Sequence, residues 1–293
     1  MNEHHKDAAA RQMAVVRQAE ESAAARRRYV LDEEAYALAE QFFLTGGKTV
    51  FPQLPANNHL LSSFNVQDRT FFVCRLFAHL QARGEGFDAS GFLLPEEHAA
   101  TGDHIVYVRN YYTEHAYDLF AASLAAPTVS YSSDFTDACA AVGEGLADLC
   151  ILPFRDELWV PFHSFSRMPE HYGLTVCAVC TVERPDGDTM RLSLCGRGCR
   201  IPRNAKKVAV ELLFSSYDGE DFETVWQLTR DLGGKIVFAE ALPDRYTSAT
   251  AWRVTCALDG ESLAPLLLSR RLFAPDSELL GIYEMPSLSD REV

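Results

Sequence analysis

The residues whose types and spacing most plainly could do chemistry are two close cysteine pairs, Cys177-Ala-Val-Cys180 and Cys195-Gly-Arg-Gly-Cys199, separated by 14 residues. Four thiolates in two such pairs match the spacing of a tetrahedral zinc site. The first pair lies in the apolar run Leu174 to Val182, where strand alternation would send Cys177 and Cys180 to opposite faces, and buried free thiols are the competing reading. No metal is assigned on this spacing and no cofactor is implied. The histidines form no H-E-x-x-H pair: His4 and His5 sit in a polar tail, and His115 and His163 stand alone. Gly46-Gly47-Lys48-Thr49 lacks the first glycine of a phosphate loop, and no Gly-x-Gly-x-x-Gly follows an expected strand, so a nucleotide is not implied either.

A net charge of -14 repels phosphate backbones and anionic membrane surfaces, which excludes nucleic acid and membrane as partners and leaves small molecules or proteins. No run reaches the roughly 18 apolar residues of a membrane span, and Met1 to Asp7 is polar, unlike a signal peptide. Cysteines placed inside apolar runs suit a reducing compartment, so a cytoplasmic location is expected. A chain of 293 residues has room for two or three domains.

The elements that must position any site read as follows. Ala8 to Phe43 favours helix by propensity, with a fresh helix start expected at Asp32-Glu33-Glu34, giving two helices. A further helix is expected from Val66 to about Arg83, and Gly84 to Asp103 reads as a linker. Beyond it, strands at His104 to Val108, Thr128 to Tyr131 and Ala147 to Leu152 alternate with helices at Thr113 to Leu124 and Asp134 to Gly143, which argues for a parallel or mixed sheet. Tyr172 to Glu183 and Met190 to Cys195 read as strands joined by a turn. The tail reads β-α-β-β-α-β: Lys207 to Ser215, Asp221 to Leu232, Lys235 to Leu242, Ala251 to Leu258, Glu261 to Phe273 and Glu278 to Glu284, the split ferredoxin-like order.

The run Asp134-Phe-Thr-Asp-Ala-Cys-Ala-Ala-Val-Gly-Glu-Gly-Leu-Ala-Asp-Leu-Cys-Ile-Leu-Pro153 resembles the prephenate dehydratase family, in which a helix with Phe and Val precedes Gly, Ala-Asp and an apolar strand ending in Pro. Tyr172-Gly-Leu174 and Pro185-Asp-Gly-Asp-Thr-Met-Arg-Leu192 resemble that family's Tyr-Gly-Leu strand and its closing Thr-Arg-Phe stretch. The β-α-β-β-α-β tail stands where the family carries its ACT domain, so order and spacing agree from Ile105 to Glu284. The resemblance implies α/β and α+β architecture: a helical region over 1–100, a reduced periplasmic-binding-protein-like α/β lobe over 104–200, and a ferredoxin-like ACT regulatory domain over 205–286. It also implies a homodimer and a small carboxylate or aromatic amino acid as ligand.

The departures bear on activity. The polar Glu-Asn-Ser or Thr after the strand-ending Pro is here Phe154-Arg155-Asp156-Glu157, and the glycine-rich turn after the first strand is Arg109-Asn110-Tyr111-Tyr112-Thr113. The family's catalytic threonine falls on Met190, or on Thr189 after a slip of one residue, and a thioether donates no proton. If the chain is a dehydratase, the resemblance makes Thr113, Thr189 and Arg191 its catalytic residues. Arg109, Arg155, Arg167 and Arg191 could bind carboxylates, or be surface arginines. Few residues separate Pro153 from Tyr172, so most of a second lobe is absent. In the tail, the effector motifs correspond to Glu220-Asp221-Phe222 and to Glu240-Ala241-Leu242-Pro243, making Glu240 and Pro243 ligand-binding candidates. Arg11 and Arg28 are spaced much as two arginines of helical chorismate mutases, without the lysine that follows there; a degenerate mutase-like bundle or a helical arm that dimerises both fit. The expectation is a dehydratase-like protein of aromatic amino-acid metabolism that is catalytically impaired and senses or regulates, with a divergent active dehydratase as the alternative.

Overall fold

The structure, a computed structural model, describes residues 3–44, 61, 63–83, 89–99, 102–154, 164–202, 204–215, 219–243 and 250–285. Glycine- and proline-free sequence carries α1 from Glu3–Leu44 as one helix of 42 residues. The second helix start expected at Asp32 is absent. Asp32 instead accepts from Arg75 Nε at 2.6 Å and faces His79 Nε2 at 2.8 Å, both on α2 (Val66–Ala82), so this acid clasps two helices rather than opening one. Asn65 caps α2 reciprocally with Asp68, and Arg27 of α1 donates through Nε to the same Asp68 at 2.9 Å.

The remaining elements are β1 (His104–Val108), α3 (Tyr111–Ala121), β2 (Thr128–Ser132), α4 (Phe135–Gly143), β3 (Leu149–Pro153), α5 (Ser164–His171), β4 (Thr175–Glu183), β5 (Thr189–Gly196), β6 (Lys207–Ser215), α6 (Gly219–Asp231), β7 (Lys235–Pro243), β8 (Thr250–Asp259), α7 (Leu263–Phe273) and β9 (Glu278–Glu284). The strands form one mixed sheet in the order β2-β1-β3-β5-β4-β9-β6-β8-β7. Strands β1, β2 and β3 are parallel, β5 and β4 run on antiparallel, and β9-β6-β8-β7 is the split βαββαβ arrangement anticipated for the tail. The halves meet where Val176 of β4 pairs with Gly281 of β9. A Cβ at Gly281 would lie 2.8 Å from the Val176 carbonyl oxygen, so the junction needs a residue without a side chain.

Each face of the sheet has its own cover. α3 packs Ala116 and Phe120 over Ile105, Ile151, Leu192 and Leu194, while α4 packs Ala138, Cys139 and Val142 over Val106, Cys150 and Cys195. α3 and α4 therefore lie on opposite faces of the parallel strands. In the second half, Val208, Val210, Leu212, Val254 and Cys256 share a core with α6, α7 and the helices α1 and α2. The N-terminal helices are thus packed into the helical layer of the ferredoxin-like half. No helix among the described residues is long and apolar enough to cross a membrane.

Candidate functional site

In an open sheet with parallel strands, a ligand crevice is expected beyond the carboxyl ends of β1 and β3, where the helix cover changes face. Here that edge is closed by its own side chains. Asn110, the N-cap of α3, accepts from the backbone N–H groups of Tyr112 at 2.9 Å and Thr113 at 3.1 Å, occupying donors that a bare turn would offer an anion. The Thr113 hydroxyl is buried; it donates to the Val108 carbonyl at 2.6 Å and accepts from Asn110 N–H at 3.1 Å. Arg109 is bound to Glu114 at 2.6 Å and lies 5.3 Å over the Tyr131 ring. That carboxylate and Tyr131 hold the Arg109 guanidinium above its ordinary pKa. Beside them Tyr112 donates to Asp188, and Arg184 covers the rings of Tyr111 and Tyr112 at 5.6 and 5.8 Å.

Thr189 and Arg191 lie on β5, both exposed. Met190 and Leu192 point into the α3-side core, so alternation turns Arg191 to the other face, where its guanidinium lies 5.5 Å over Phe154. The structure therefore puts Thr113 and Arg191 on opposite faces of the sheet. Arg155 lies outside the described residues.

On the Arg191 face a row of polar and aromatic groups crosses both halves of the sheet. Phe154 meets Tyr283 of β9 edge-on at 5.8 Å, and the Tyr283 hydroxyl donates to Glu211 Oε1 of β6 at 2.7 Å. Arg253 of β8 donates to Glu211 Oε2 at 2.9 Å and lies 3.4 Å from Glu170 of α5, whose other oxygen is 3.6 Å from Arg167. Glu240, half-buried on β7, stands in register with Arg253. Burial alone would lower the Arg253 pKa, but Glu211, with Glu170 and Glu240 behind it, raises it, so this arginine stays charged. Pro243 closes β7; its side chain lies outside the described residues. The row thus runs from a solvent-facing cation at Arg191, past two aromatic rings, to a cluster in which three carboxylates face the two arginines Arg253 and Arg167. Glu211, Arg253, Glu170 and Tyr283 escaped the sequence reading. The available signal was a charge at the centre of each apolar strand, Val-Glu211-Leu and Trp-Arg253-Val.

The cysteines do not assemble a metal site. A register shift between Val176 and Ala178 overturns simple alternation and puts Cys177 and Cys180 in the same α3-side core, with Cys195 on the α4 side and Cys199 under the helices. Burial pushes the thiols of Cys180 and Cys199 up to about 12. Among the described residues no group of three or more metal-ligating side chains comes together.

No family model matches the chain, and no curated protein matches it. Among solved structures it is similar to "GqqA- a novel type of quorum quenching acylases", at 18% identity and TM-score 0.45 over 65% of this chain and 99% of that one. It is similar to the prephenate dehydratase from Streptococcus mutans at 14% identity and TM-score 0.46, covering 62% of this chain and 98% of that one. A third, prephenate dehydratase in complex with L-Phe from Arthrobacter aurescens, is 12% identical with TM-score 0.45 over 64% and 93% of the two chains. At such identities and TM-scores the likeness carries no argument about chemistry.

Proposed function

We propose that this protein is a dehydratase-like ligand sensor of aromatic amino-acid metabolism, built from a helical region (1–100), an α/β lobe (104–200) and an ACT-like domain (205–286), and that it is not an efficient prephenate dehydratase. The observation that carries the reading is the engagement of the Thr113 hydroxyl, with Met190 standing where the resemblance puts the family's catalytic threonine. A general acid must present a free proton to the leaving hydroxyl. The Thr113 proton is committed to the Val108 carbonyl, the nearby N–H donors are held by Asn110, and Arg191 lies on the other face of the sheet.

The ligand proposed is an aromatic amino acid. The Arg191 end of the row offers a cation for the carboxylate beside the Phe154 ring, while Glu240, five strands away in the sheet order, marks a separate candidate position in the ACT-like half. The sequence motifs from Asp134 to Pro153 support placing it in the dehydratase lineage. Titration with L-Phe, followed calorimetrically, tests this: wild-type protein binds with measurable heat, and Arg191→Ala weakens binding while Glu240→Gln does not. Equal affinity in all three proteins would remove the site.

The alternative, a divergent dehydratase using Thr113, Thr189 and Arg191, draws support from the neighbourhood of two of these. Tyr112 and Asp188 are hydrogen-bonded, which brings the first turn of α3 beside the turn that precedes Thr189. Prephenate turnover separates the two readings.

A further inference from the structure

We infer that α1 is a dimerisation arm that pairs antiparallel with α1 of a second copy of this chain, crossing near Ala23-Ala24-Ala25. The helix docks on its own body only from Arg27 onward: Arg27 to Asp68, Arg28 over Phe71 at 5.9 Å, then the buried Leu31, Ala35, Leu38 and Phe42. Before that point every side chain from Gln12 to Arg26 is exposed, with Met13, Val15 and Val16 half or more open to solvent, and Tyr29 and Val30 at the start of the docked stretch are as open. At 1.5 Å per residue, the 24 residues from Glu3 to Arg26 project about 36 Å from the body. A helix without tertiary packing is marginal in water, which leaves the arm in need of a partner.

The charges along the arm say which partner. They come in blocks: Arg17, then Glu20 and Glu21, then Arg26, Arg27 and Arg28, then Asp32, Glu33 and Glu34. Reversing the helix about Ala24-Ala25 lays Glu21 opposite Arg28 and Glu20 within a turn of Arg26, and sets Arg17 beside Glu33 and Glu34, while Asp32 keeps its clasp with Arg75 and His79. A parallel pair would lay each block on itself and repel. The chain is therefore self-complementary in one orientation only, the isologous two-fold one. Exposed residues at alternating spacings of four and three, Gln12, Val16, Ala19, Ala23, Arg26, Val30, Glu33 and Ala37, supply the seam. Its small residues at the crossing allow close approach. Glu20 and Arg26 have no side-chain partner among the described residues, so the pairing breaks no contact of theirs.

Sedimentation of the full chain and two charge-swapped variants, Glu20→Arg and Arg26→Glu, tests the arm. Wild-type protein is expected to dimerise, and each variant to do so about tenfold or more weakly with unchanged circular dichroism and melting temperature. An equimolar mixture of the two variants is expected to recover the dimer, because each swapped residue then meets its complement. A monomeric wild type, a dimer that survives both swaps, or a mixture that stays dissociated would each overturn the inference. None of these outcomes bears on the amino-acid site, which lies on the sheet.

Discussion

Arg253 donates to Glu211 across neighbouring strands at 2.9 Å, with both side chains closed from solvent at 3% and 0% exposure. Removing one member of a buried pair strands the other charge, at a cost of about 3–5 kcal/mol. Arg253→Met is expected to lose about that much stability in urea denaturation. The double variant Arg253→Met/Glu211→Leu should recover only part of the loss, since Glu170 still loses Arg253 and the Tyr283 hydroxyl loses its acceptor. A single variant as stable as wild type would mean that the pair is not buried in solution.

Two glycines with positive φ should respond differently to alanine. Gly187, φ 87°, has open space around an added Cβ, whereas at Gly198, φ 74°, that Cβ would lie 2.3 Å from the His98 carbonyl oxygen. Gly187→Ala is expected to cost about 1–2 kcal/mol from backbone strain alone. Gly198→Ala should cost clearly more, because a backbone carbonyl has to move. Thermal unfolding of both proteins checks the order.

Seven of the eight cysteines are buried or half-buried and only Cys74 is exposed. Burial pushes Cys256 up to about 11 and Cys180 and Cys199 up to about 12, which suppresses the reactive thiolate. Cys74 is raised too, by partial burial and by Asp231. Alkylation at pH 8, read by mass, should label one site quickly and the rest only after denaturation. Two or more fast sites would place a second thiol at the surface.

Hydrogen bonds from Arg75 and His79 hold the Asp32 carboxyl below its ordinary value of 3.8. A carboxylate with a depressed folded pKa contributes its full stability above the unfolded value and loses it as pH falls through the folded one. The difference in melting temperature between wild type and Asp32→Asn is therefore expected to be present at neutral pH and to close as pH falls below about 4. A difference that persisted undiminished to about pH 2 would contradict the clasp between α1 and α2.

The ferredoxin-like tail was legible because its apolar strands alternate with amphipathic helices between glycines, and β9 begins and ends where its pattern does, at Glu278 and Glu284. The α1 break was misread because acidic residues serve equally as a helix start and as partners for Arg75 and His79, which local sequence cannot distinguish. The placement of Cys177 with Cys180 depends on a bulge that period-two reasoning does not contain. Arg191 and Glu240 were named without the groups between them, since Tyr283, Glu211 and Arg253 belong to strands that become neighbours only on folding. Thr113 was named as a hydroxyl in the turn after β1. That its proton goes to Val108 depended on Asn110 capping the helix.

The central claim is that the chain binds rather than dehydrates, and the most direct measurement is the release of phenylpyruvate from prephenate by purified wild-type protein and Arg191→Ala. No turnover above background in either protein is the expected result. Turnover in the wild type that is lost in Arg191→Ala would contradict the claim and establish a dehydratase whose acid is a group other than the engaged Thr113 hydroxyl.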